Sequence, residues 1–456
     1  MYYSYSDREV KNNFVEYFGI QPDVLIKAPG RVNLIGEHTD YNGLPVLPVS
    51  IPFFITVAAS SRSDTSIYIE NANPLYKKNT FEFSKYIPHS PTGDWSNYVK
   101  AAASALASYP DIKLHGMNAF FHGDIPASAG LSSSSALVIA SALSILATNS
   151  QKMNFLELAE MMASGEHYVG TQGGGMDQAI CLFGKKGYAV NINFFPLRCS
   201  YVKFPENHSI IVAHSLIRAA KTEEALFLYN LRPAECRLAT ALLNSIYDPE
   251  PPLNCLGDLT GHNFFKRFEH PSQFVDSTFT QESYFLSDIA CILGNSVESL
   301  KQKYLLNGND VIMPVPEDGF RIRQRTLHVL SEADRVEKSC LALENNDSIA
   351  FGELMNASHR SCDENYGIST PELNELVRIM RANGALGARL TGAGFGGCAV
   401  GLAREEDVKK VIDSVRELYY NTYIKEKRPE LLTTSDYGST LVFSVKPARG
   451  ALVEHL

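Results

Sequence analysis

The chain has 456 residues, of which 41 are basic and 50 acidic, and its formal net charge is −9. The hydrophobic fraction of 45% and the charged fraction of 20% are typical of a soluble globular protein, and the length favours about two or three domains. The acidic balance excludes a nucleic-acid surface, which needs a basic face. It leaves phosphate binding by local backbone dipoles open.

No targeting or membrane segment is predicted. The first residues lack the basic start and apolar core of a signal peptide, and the longest apolar stretch, 136–147, is too short to span a bilayer. The eight cysteines include no Cys-x-x-Cys pair, which favours reduced thiols over a disulfide framework or a zinc site. We therefore expect a cytoplasmic protein that binds neither membrane nor nucleic acid and works as a monomer.

In the first half of the chain, strand-like runs alternate with helical periods. The predicted elements are, in chain order, a strand at 24–28, one long strand or a strand pair at 47–59, a helix at 95–107, a strand at 114–121, helices at 133–147 and 155–169, and strands at 187–195 and 209–214.

The second half is more helical. Its predicted elements are helices at 232–243, 326–344, 349–360 and 371–382, strands at 387–390 and 397–402, a helix at 405–420 and a strand at 439–444. Strands and helices mix without strict alternation, which favours an α+β architecture over a doubly wound parallel sheet. We predict two domains, 1–205 and 206–456; residues 250–313 show no pattern that indicates chemistry.

The segment 27–43 combines turn-forming glycines with four polar residues: Arg31, Glu37, His38 and Asp40. Carboxylates and an imidazole can bind several hydroxyl groups at once, which a polyol such as a sugar requires. A hairpin with a solvated tip is an equal alternative from composition alone.

A small-residue loop leads directly into an apolar helix at residues 130–136. Its members are Gly130, Leu131, Ser132, Ser133, Ser134, Ser135 and Ala136. Unpaired N–H groups at a helix start favour an anion, and a serine hydroxyl can ligate Mg²⁺. A serine-rich helix cap is the alternative, although one N-cap serine would suffice.

Two further segments are rich in glycine. The segment 389–400 matches G-x-G-x-x-G, but a strand follows the glycines, so we reject dinucleotide binding. These glycines more plausibly allow close backbone approach to a phosphate or to another loop. Three glycines precede Asp177, so that a ligand can approach its carboxylate closely; the alternative is a turn-capping aspartate, which the local sequence alone favours.

Together, in this order and spacing, the segments 30–43, 130–136, 175–178 and 390–398 resemble the GHMP small-molecule kinases and, within them, the galactokinase family. The similarity runs from about residue 26 to about residue 402. The first segment is specific to galactokinases and their N-acetylgalactosamine kinase relatives. Residues 446–452 and 73–76 are similar to the eukaryotic branch that contains the latter.

The resemblance implies a two-lobed fold with mixed sheets, packed helices and an active site between the lobes. It implies a catalytic role for Asp177 with Arg31 beside it, and a sugar pocket formed by these two residues with Glu37, His38, Asp40, Gly174 and Tyr229. The serine loop, residues 130–136, would bind the ATP phosphates, and Trp95 would lie near the adenine. Ser134 and Glu166 would ligate Mg²⁺, although the acids on this helix could otherwise form a solvated face.

Two positions depart from the family pattern. Many members carry an arginine eight residues before the tyrosine that matches Tyr229, but here that position is Lys221, and Arg218 lies eleven before. After the Ser-His-x-Ser motif, the usual Arg-Asp pair is replaced by Asp363 and Glu364. The first change leaves open which residue supplies the second basic group, and the second change removes an expected basic residue.

The resemblance implies ATP-dependent phosphorylation of the anomeric (C1) hydroxyl of galactose. One alternative within the family is an N-acetylgalactosamine kinase, which depends on room around the sugar's 2-position. The alternative from another class is a sensor that binds galactose and ATP without turnover. The intact serine loop, Asp177 and Glu166 favour the enzyme.

Overall fold

The computed structural model describes residues 5–84, 86–109, 114–126, 129–170, 173–217, 223–306, 311–433 and 441–456. In these residues helices and mixed sheets form the two lobes of an α+β fold, as predicted. No helix of this described part is long and apolar enough to cross a membrane.

The first lobe is built on a six-stranded sheet. Its strands are β1 (Val24–Asn33), β2 (Pro48–Ser61), β3 (Ser66–Asn71), β4 (Asn79–Glu82), β5 (Met117–Gly123) and β12 (Leu452–His455), in the spatial order β12-β1-β2-β5-β3-β4. All neighbours are antiparallel except β3 and β5. The predicted segment 47–59 is therefore one long strand, β2.

Helices pack on both faces of this sheet. They are α1 (Asp7–Phe18), α2 (Ser96–Ala107), α3 (Ser133–Thr148), α4 (Phe155–Gly165) and α5 (Met176–Phe183). On one face, α1 buries Val10 and Phe14 against Phe120 of the sheet, and a capping box between Ser6 and Glu9 fixes its start. The other helices form the main core with the opposite face. A hairpin of β6 (Tyr188–Asn193) and β7 (Arg198–Lys203) follows.

The second lobe has a four-stranded antiparallel sheet in the order β11-β8-β10-β9. Its strands are β8 (His208–His214), β9 (Gly387–Thr391), β10 (Cys398–Arg404) and β11 (Val442–Val445), and its helices are α6 (Glu223–Tyr247), α7 (Pro271–Thr278), α8 (Leu286–Leu293), α9 (Val297–Tyr304), α10 (Ile322–Glu344), α11 (Ser348–Ser361), α12 (Pro371–Ala382), α13 (Glu405–Ser414) and α14 (Lys425–Lys427). Most of these elements enclose a second apolar core, whereas Phe351 and Met355 of α11 belong to the core of the first lobe.

Some predicted elements have different limits in the structure. The predicted helix 155–169 is shorter in the structure, because α4 ends at Gly165 and a 3-10 segment, Glu166–Val169, follows it. The predicted helix 232–243 lies inside the longer α6, which carries Pro233 in its interior. The predicted helix 405–420 is α13 followed by a π-helical stretch, Val415–Ile424. Residues 439 and 440 of the last predicted strand lie outside the described residues.

Several contacts cross the predicted division between residues 205 and 206. Strand β12 pairs with β1, so this late segment belongs to the first sheet. In the opposite direction, Leu44 lies in the apolar core of the second lobe. Gly257, in the segment without assigned chemistry, packs against the turn 42–43, where an added Cβ would lie 2.6 Å from the Asn42 carbonyl oxygen. The division itself stays a prediction.

Candidate active site

The end of β1 and the turn after it carry the polar residues of segment 27–43. The pairing of β1 with β2 shifts register between Pro29 and Arg31, and Arg31 is 5% exposed. Beyond the strand, His38 adopts a positive φ of 62°, and a short 3-10 segment, Asp40–Asn42, closes on Gly43. Glu37, His38 and Asp40 are all buried. The alternative of a solvated hairpin tip is therefore wrong.

Asp177 lies in the first turn of α5 and is held by Arg31. The guanidinium donates from Nε to Oδ1 at 2.7 Å and from Nη2 to Oδ2 at 3.0 Å. The Ser132 hydroxyl also donates to Oδ2, and Arg31 Nη1 donates to the Gly130 carbonyl at 2.6 Å. The Asp177 side chain is 25% exposed. It is thus fixed in orientation but open to a ligand, which goes beyond a turn cap.

Asp40 approaches the segment before α5. Its Oδ2 accepts a hydrogen bond from the Gly174 N–H at 3.0 Å. A Cβ at position 174 would lie 2.2 Å from the Tyr41 nitrogen and 2.4 Å from the Asp40 carbonyl carbon, so only glycine fits. Burial raises the pKa of Asp40 to about 6, and the Asp177 carboxylate acts in the same direction. Two carboxyl groups therefore share one buried space.

Tyr229 of α6 completes this space from the second lobe. Burial raises its pKa well above the usual value, and the carboxylates of Asp40 and Asp177 act in the same direction. Its ring lies 5.5 Å from the His38 ring, and its hydroxyl lies 3.8 Å from the position of a Cβ on Gly173. The structure thus brings six of the seven predicted sugar-pocket residues close together.

Glu37, the seventh, lies in a buried ion pair beside this space. Its Oε1 accepts hydrogen bonds from Arg389 Nη1 at 3.1 Å and from the Gly392 N–H at 2.7 Å. Arg389 is fully buried and also lies 3.9 Å from Glu332. Sequence reasoning missed Arg389; the available signal was a basic residue in the otherwise apolar strand β9. The ion pair ties the first glycine-containing segment to the third.

The serine loop leads into α3 as predicted. Gly130 and Ser132 adopt positive φ values of 72° and 59°, and Ser132 is the N-cap residue although its hydroxyl caps no backbone N–H. Ser133 and Ser134 are half-buried, whereas Leu131 and Ala136 belong to the core. The loop can therefore present the Ser133 and Ser134 hydroxyls and backbone N–H groups to a bound phosphate, whereas the Leu131 and Ala136 side chains face the core.

Glu166 differs from the other acids near it. Glu160 is exposed, whereas Glu166 is 7% exposed at the start of its 3-10 segment, which contradicts the solvated-face alternative. Burial raises the pKa of Glu166 to about 7, against a hydrogen bond from Ser135. Its Oε1 has no hydrogen-bond partner among the residues that the structure describes. A buried carboxylate oxygen without a hydrogen-bond partner, close to the serine residues at the start of α3, is a suitable ligand for a hard cation such as Mg²⁺.

Trp95 is the N-cap residue of α2, and most of its ring is buried inside the first lobe. The indole N–H donates to the Lys77 carbonyl at 2.7 Å, the ring packs edge-on against Phe121, and the residue is 6% exposed. One turn later, Tyr98 is close enough to Glu166 for that carboxylate, together with burial, to raise the tyrosine pKa to about 12. Only a small part of the Trp95 side chain is therefore accessible for contact with a nucleotide.

The third glycine-rich segment joins β9 to β10 as strand, turn and strand, which confirms the rejection of a dinucleotide fold. A Cβ on Gly392 would lie 2.7 Å from the Gly130 carbonyl oxygen. These glycines thus allow close approach to another loop, the serine loop, which was one of the two predicted possibilities. The His38 ring reaches the same segment, with Nε2 3.2 Å from the Ala393 carbonyl oxygen.

Both departures from the family pattern can now be located. Arg218 and Lys221 lie outside the described residues. Asp363 and Glu364 lie in a single π-helical turn, Cys362–Tyr366, at the end of α11.

The two-lobed fold and this site define a GHMP-type small-molecule kinase. The galactokinase galactose-binding signature matches residues 12–61, the GHMP kinase N-terminal domain matches residues 97–185 and the GHMP kinase C-terminal domain matches residues 341–421. A galactokinase of Dictyostelium discoideum is 33% identical over 96% of this chain and 91% of its own length. One of Schizosaccharomyces pombe is 32% identical over 98% and 94%. The chain belongs to the galactokinase family.

Solved structures agree with this assignment. The crystal structure of Lactococcus lactis galactokinase complexed with galactose has a TM-score of 0.75 and 27% identity, and the match covers 97% of this chain and 98% of the other. Methanococcus jannaschii mevalonate kinase, with 18% identity and a TM-score of 0.54 over 93% and 98%, shares the fold.

Proposed function

We propose that this protein transfers the γ-phosphoryl group of ATP to the C1 hydroxyl of galactose. The observation that carries the proposal is the bidentate pair of Arg31 and Asp177, which lies between the serine helix start and the acidic pocket. Membership of the galactokinase family supports the choice of sugar.

In the proposed reaction, Asp177 receives the proton of the C1 hydroxyl. The sugar oxygen forms a bond to the γ-phosphorus, the bond from that phosphorus to the β,γ-bridging oxygen breaks, and ADP leaves. Phosphoryl transfer asks mainly for positioning and charge stabilisation. Arg31 orients the carboxylate and stabilises negative charge on the transferred group, while N–H groups at the start of α3 hold phosphate oxygens.

Mg²⁺ would be held by Ser134 and Glu166, since the Glu166 Oε1, which has no hydrogen-bond partner in the described part of the chain, suits it. When bound, it neutralises charge on the triphosphate. Asp40, His38, Tyr229 and the Gly174 backbone form the proposed sugar pocket. The segment 34–47 that joins β1 to β2 is called the sugar hairpin, and Glu37 anchors it through Arg389 and the Gly392 N–H.

We further propose that the protein acts as a monomer in the cytoplasm. One chain supplies every residue of the proposed site, and all eight cysteines are free thiols. Size-exclusion chromatography with light scattering tests the first point: a mass of one chain supports it and a dimer contradicts it. Fluorescence microscopy of the tagged protein tests the second.

A coupled assay of ADP release, run with galactose, with N-acetylgalactosamine and without sugar, tests the activity. We expect turnover with galactose and a product phosphorylated at C1 by ³¹P NMR. Preference for N-acetylgalactosamine would contradict the substrate. Galactose binding by calorimetry without ADP release would indicate a sensor instead.

A further inference from the structure

A chain of hydrogen bonds runs from His38 into the second lobe. His38 Nδ1 lies 2.8 Å from the Tyr41 hydroxyl, which lies 2.7 Å from the Tyr366 hydroxyl. The Tyr366 hydroxyl lies 3.4 Å from the thiol of Cys236. The chain thus connects the sugar hairpin with α6 and with the π-helical turn Cys362–Tyr366.

The donor and the acceptor of each hydrogen bond in this chain follow from the Ala393 carbonyl, which lies at its His38 end. The Ala393 carbonyl can only accept, so His38 Nε2 carries the hydrogen and Nδ1 accepts from Tyr41. Tyr41 then accepts from Tyr366, which accepts from the Cys236 thiol. The Ala393 carbonyl therefore selects the neutral Nε2–H tautomer of His38, and the chain that ends on Nδ1 stabilises this tautomer and one orientation of the ring beside Tyr229.

Two arginines fix the backbone of the turn that carries Tyr366. Arg232 donates to the Tyr366 carbonyl at 2.8 Å and to the Gly367 carbonyl at 3.0 Å, and Arg325 donates to the Asn365 carbonyl. Both arginines pair with Glu235, at 3.2 Å and 2.8 Å. π-helical turns are rare and are often found at functional sites. The arginine contacts that fix this turn therefore suggest a functional role for it rather than an irregular helix end.

We propose that the π-helical turn 362–366 is a positioning element of the sugar pocket, in which Tyr366, acting through Tyr41, holds the Nε2–H imidazole of His38 in one orientation. Tyr366 is fully buried and therefore does not touch the sugar. This inference rests on the proposed function, because that proposal assigns His38 to the sugar pocket. It gives a task to a loop that lacks the basic residue of its relatives.

The test compares single hydroxyl deletions. Tyr366→Phe and Tyr41→Phe each remove one hydroxyl, and with it two hydrogen bonds of the chain, and keep the ring. Tyr419→Phe is the matched control, since this buried hydroxyl donates to the Ser215 carbonyl at 2.7 Å, outside the chain. We expect the first two to raise the galactose KM about tenfold, as for one lost buried hydrogen bond, and to leave the ATP KM unchanged. The control leaves both unchanged.

A double-mutant cycle separates positioning from plain stabilisation. Asn tolerates the positive φ of position 38, so His38→Asn is combined with Tyr366→Phe. If Tyr366 acts through His38, the double variant has the galactose KM of His38→Asn alone. Multiplying effects, or a Tyr366→Phe variant that behaves like the control, would overturn the proposal while leaving the kinase activity intact.

A measurement without turnover keeps the inference testable by itself. In ¹⁵N-histidine-labelled protein, we expect His38 to be the Nε2–H tautomer. We expect its Nδ1 signal to shift in Tyr41→Phe, where the donor to Nδ1 is lost, and in Tyr366→Phe, where that donor loses its own hydrogen bond, but not in Tyr419→Phe. Unchanged ring signals in the first two variants would refute the inference. Absence of sugar phosphorylation in the unsubstituted protein would refute the proposed function instead, and the ring signals would still decide the inference.

Discussion

Arg31 holds both carboxylate oxygens of Asp177 with nearly parallel hydrogen bonds of 2.7 and 3.0 Å. Such a fork fixes the carboxylate plane in a way that a single charged group cannot. One lobe supplies both residues, on β1 and α5, so the catalytic geometry exists before substrates bind.

Asp177→Asn tests this pair. The amide can still accept from Ser132 or Arg31 but is no base, so we expect kcat to fall about 10³-fold, within the usual range for a lost general base. Galactose and ATP affinities, measured by calorimetry, stay close to those of the unsubstituted protein because the pocket is intact. Turnover near the normal rate would remove Asp177 from the role of base.

Asp40→Asn is expected to stabilise the free protein in a pH-dependent way. The pKa of Asp40 is about 6 in the fold against the ordinary 3.8, so ionisation costs stability as pH rises through this window, up to about 3 kcal/mol above it. The variant should therefore gain most at pH 7.5 and nothing at pH 3.5, while its galactose affinity drops.

Urea unfolding of both proteins at the two pH values measures this difference. Equal stability differences at both pH values would mean that Asp40 does not carry the burial cost described here.

Glu166→Gln is expected to weaken magnesium use selectively. The amide oxygen is a poorer ligand than a carboxylate, so we expect the half-saturating Mg²⁺ concentration to rise at least about tenfold. Calorimetric titration of Mg²⁺·ATP provides a readout that does not require turnover. Glu160→Gln, on the preceding helix but exposed, is the control; equal effects of both changes would argue against a ligand role.

Gly174→Ala is expected to separate the Asp177 segment from the sugar hairpin. The new methyl group would overlap the Tyr41 nitrogen at 2.2 Å, and overpacking of this kind costs about 1–3 kcal/mol or more. Gly261→Ala is the matched control, because nothing lies within 4 Å of its added Cβ. We expect a lower melting temperature and a higher galactose KM only in the first variant.

Local patterns were sufficient to predict the long elements. Helices α2 and α3 and strand β2 have strong apolar periods, and the structure places them within a few residues of the predicted limits. The short strands β3 and β4 and the helices α7 to α9 were missed, because their burial depends on neighbours far along the chain.

The site was predicted as a set of residues but not as a geometry. The alternation of glycines and acids in segment 27–43 indicated a polyol pocket, yet nothing local indicated that Glu37 pairs with Arg389. Likewise, local sequence alone favoured a turn cap for Asp177, and only the family resemblance implied that Arg31 lies beside it; the structure shows the contact. Contacts between residues hundreds of positions apart are set by the packing of the lobes.

The pairing of β12 with β1 has a consequence for biosynthesis. Synthesis runs from the amino end, and early parts fold first. Strand β1, which carries Arg31, can therefore pair with β2 early, but its other edge stays unpaired until β12 is made after the second lobe. An open sheet edge invites pairing with other chains. The nascent chain on the ribosome is therefore the form most exposed to aggregation, and the arrival of β12 ends that exposure.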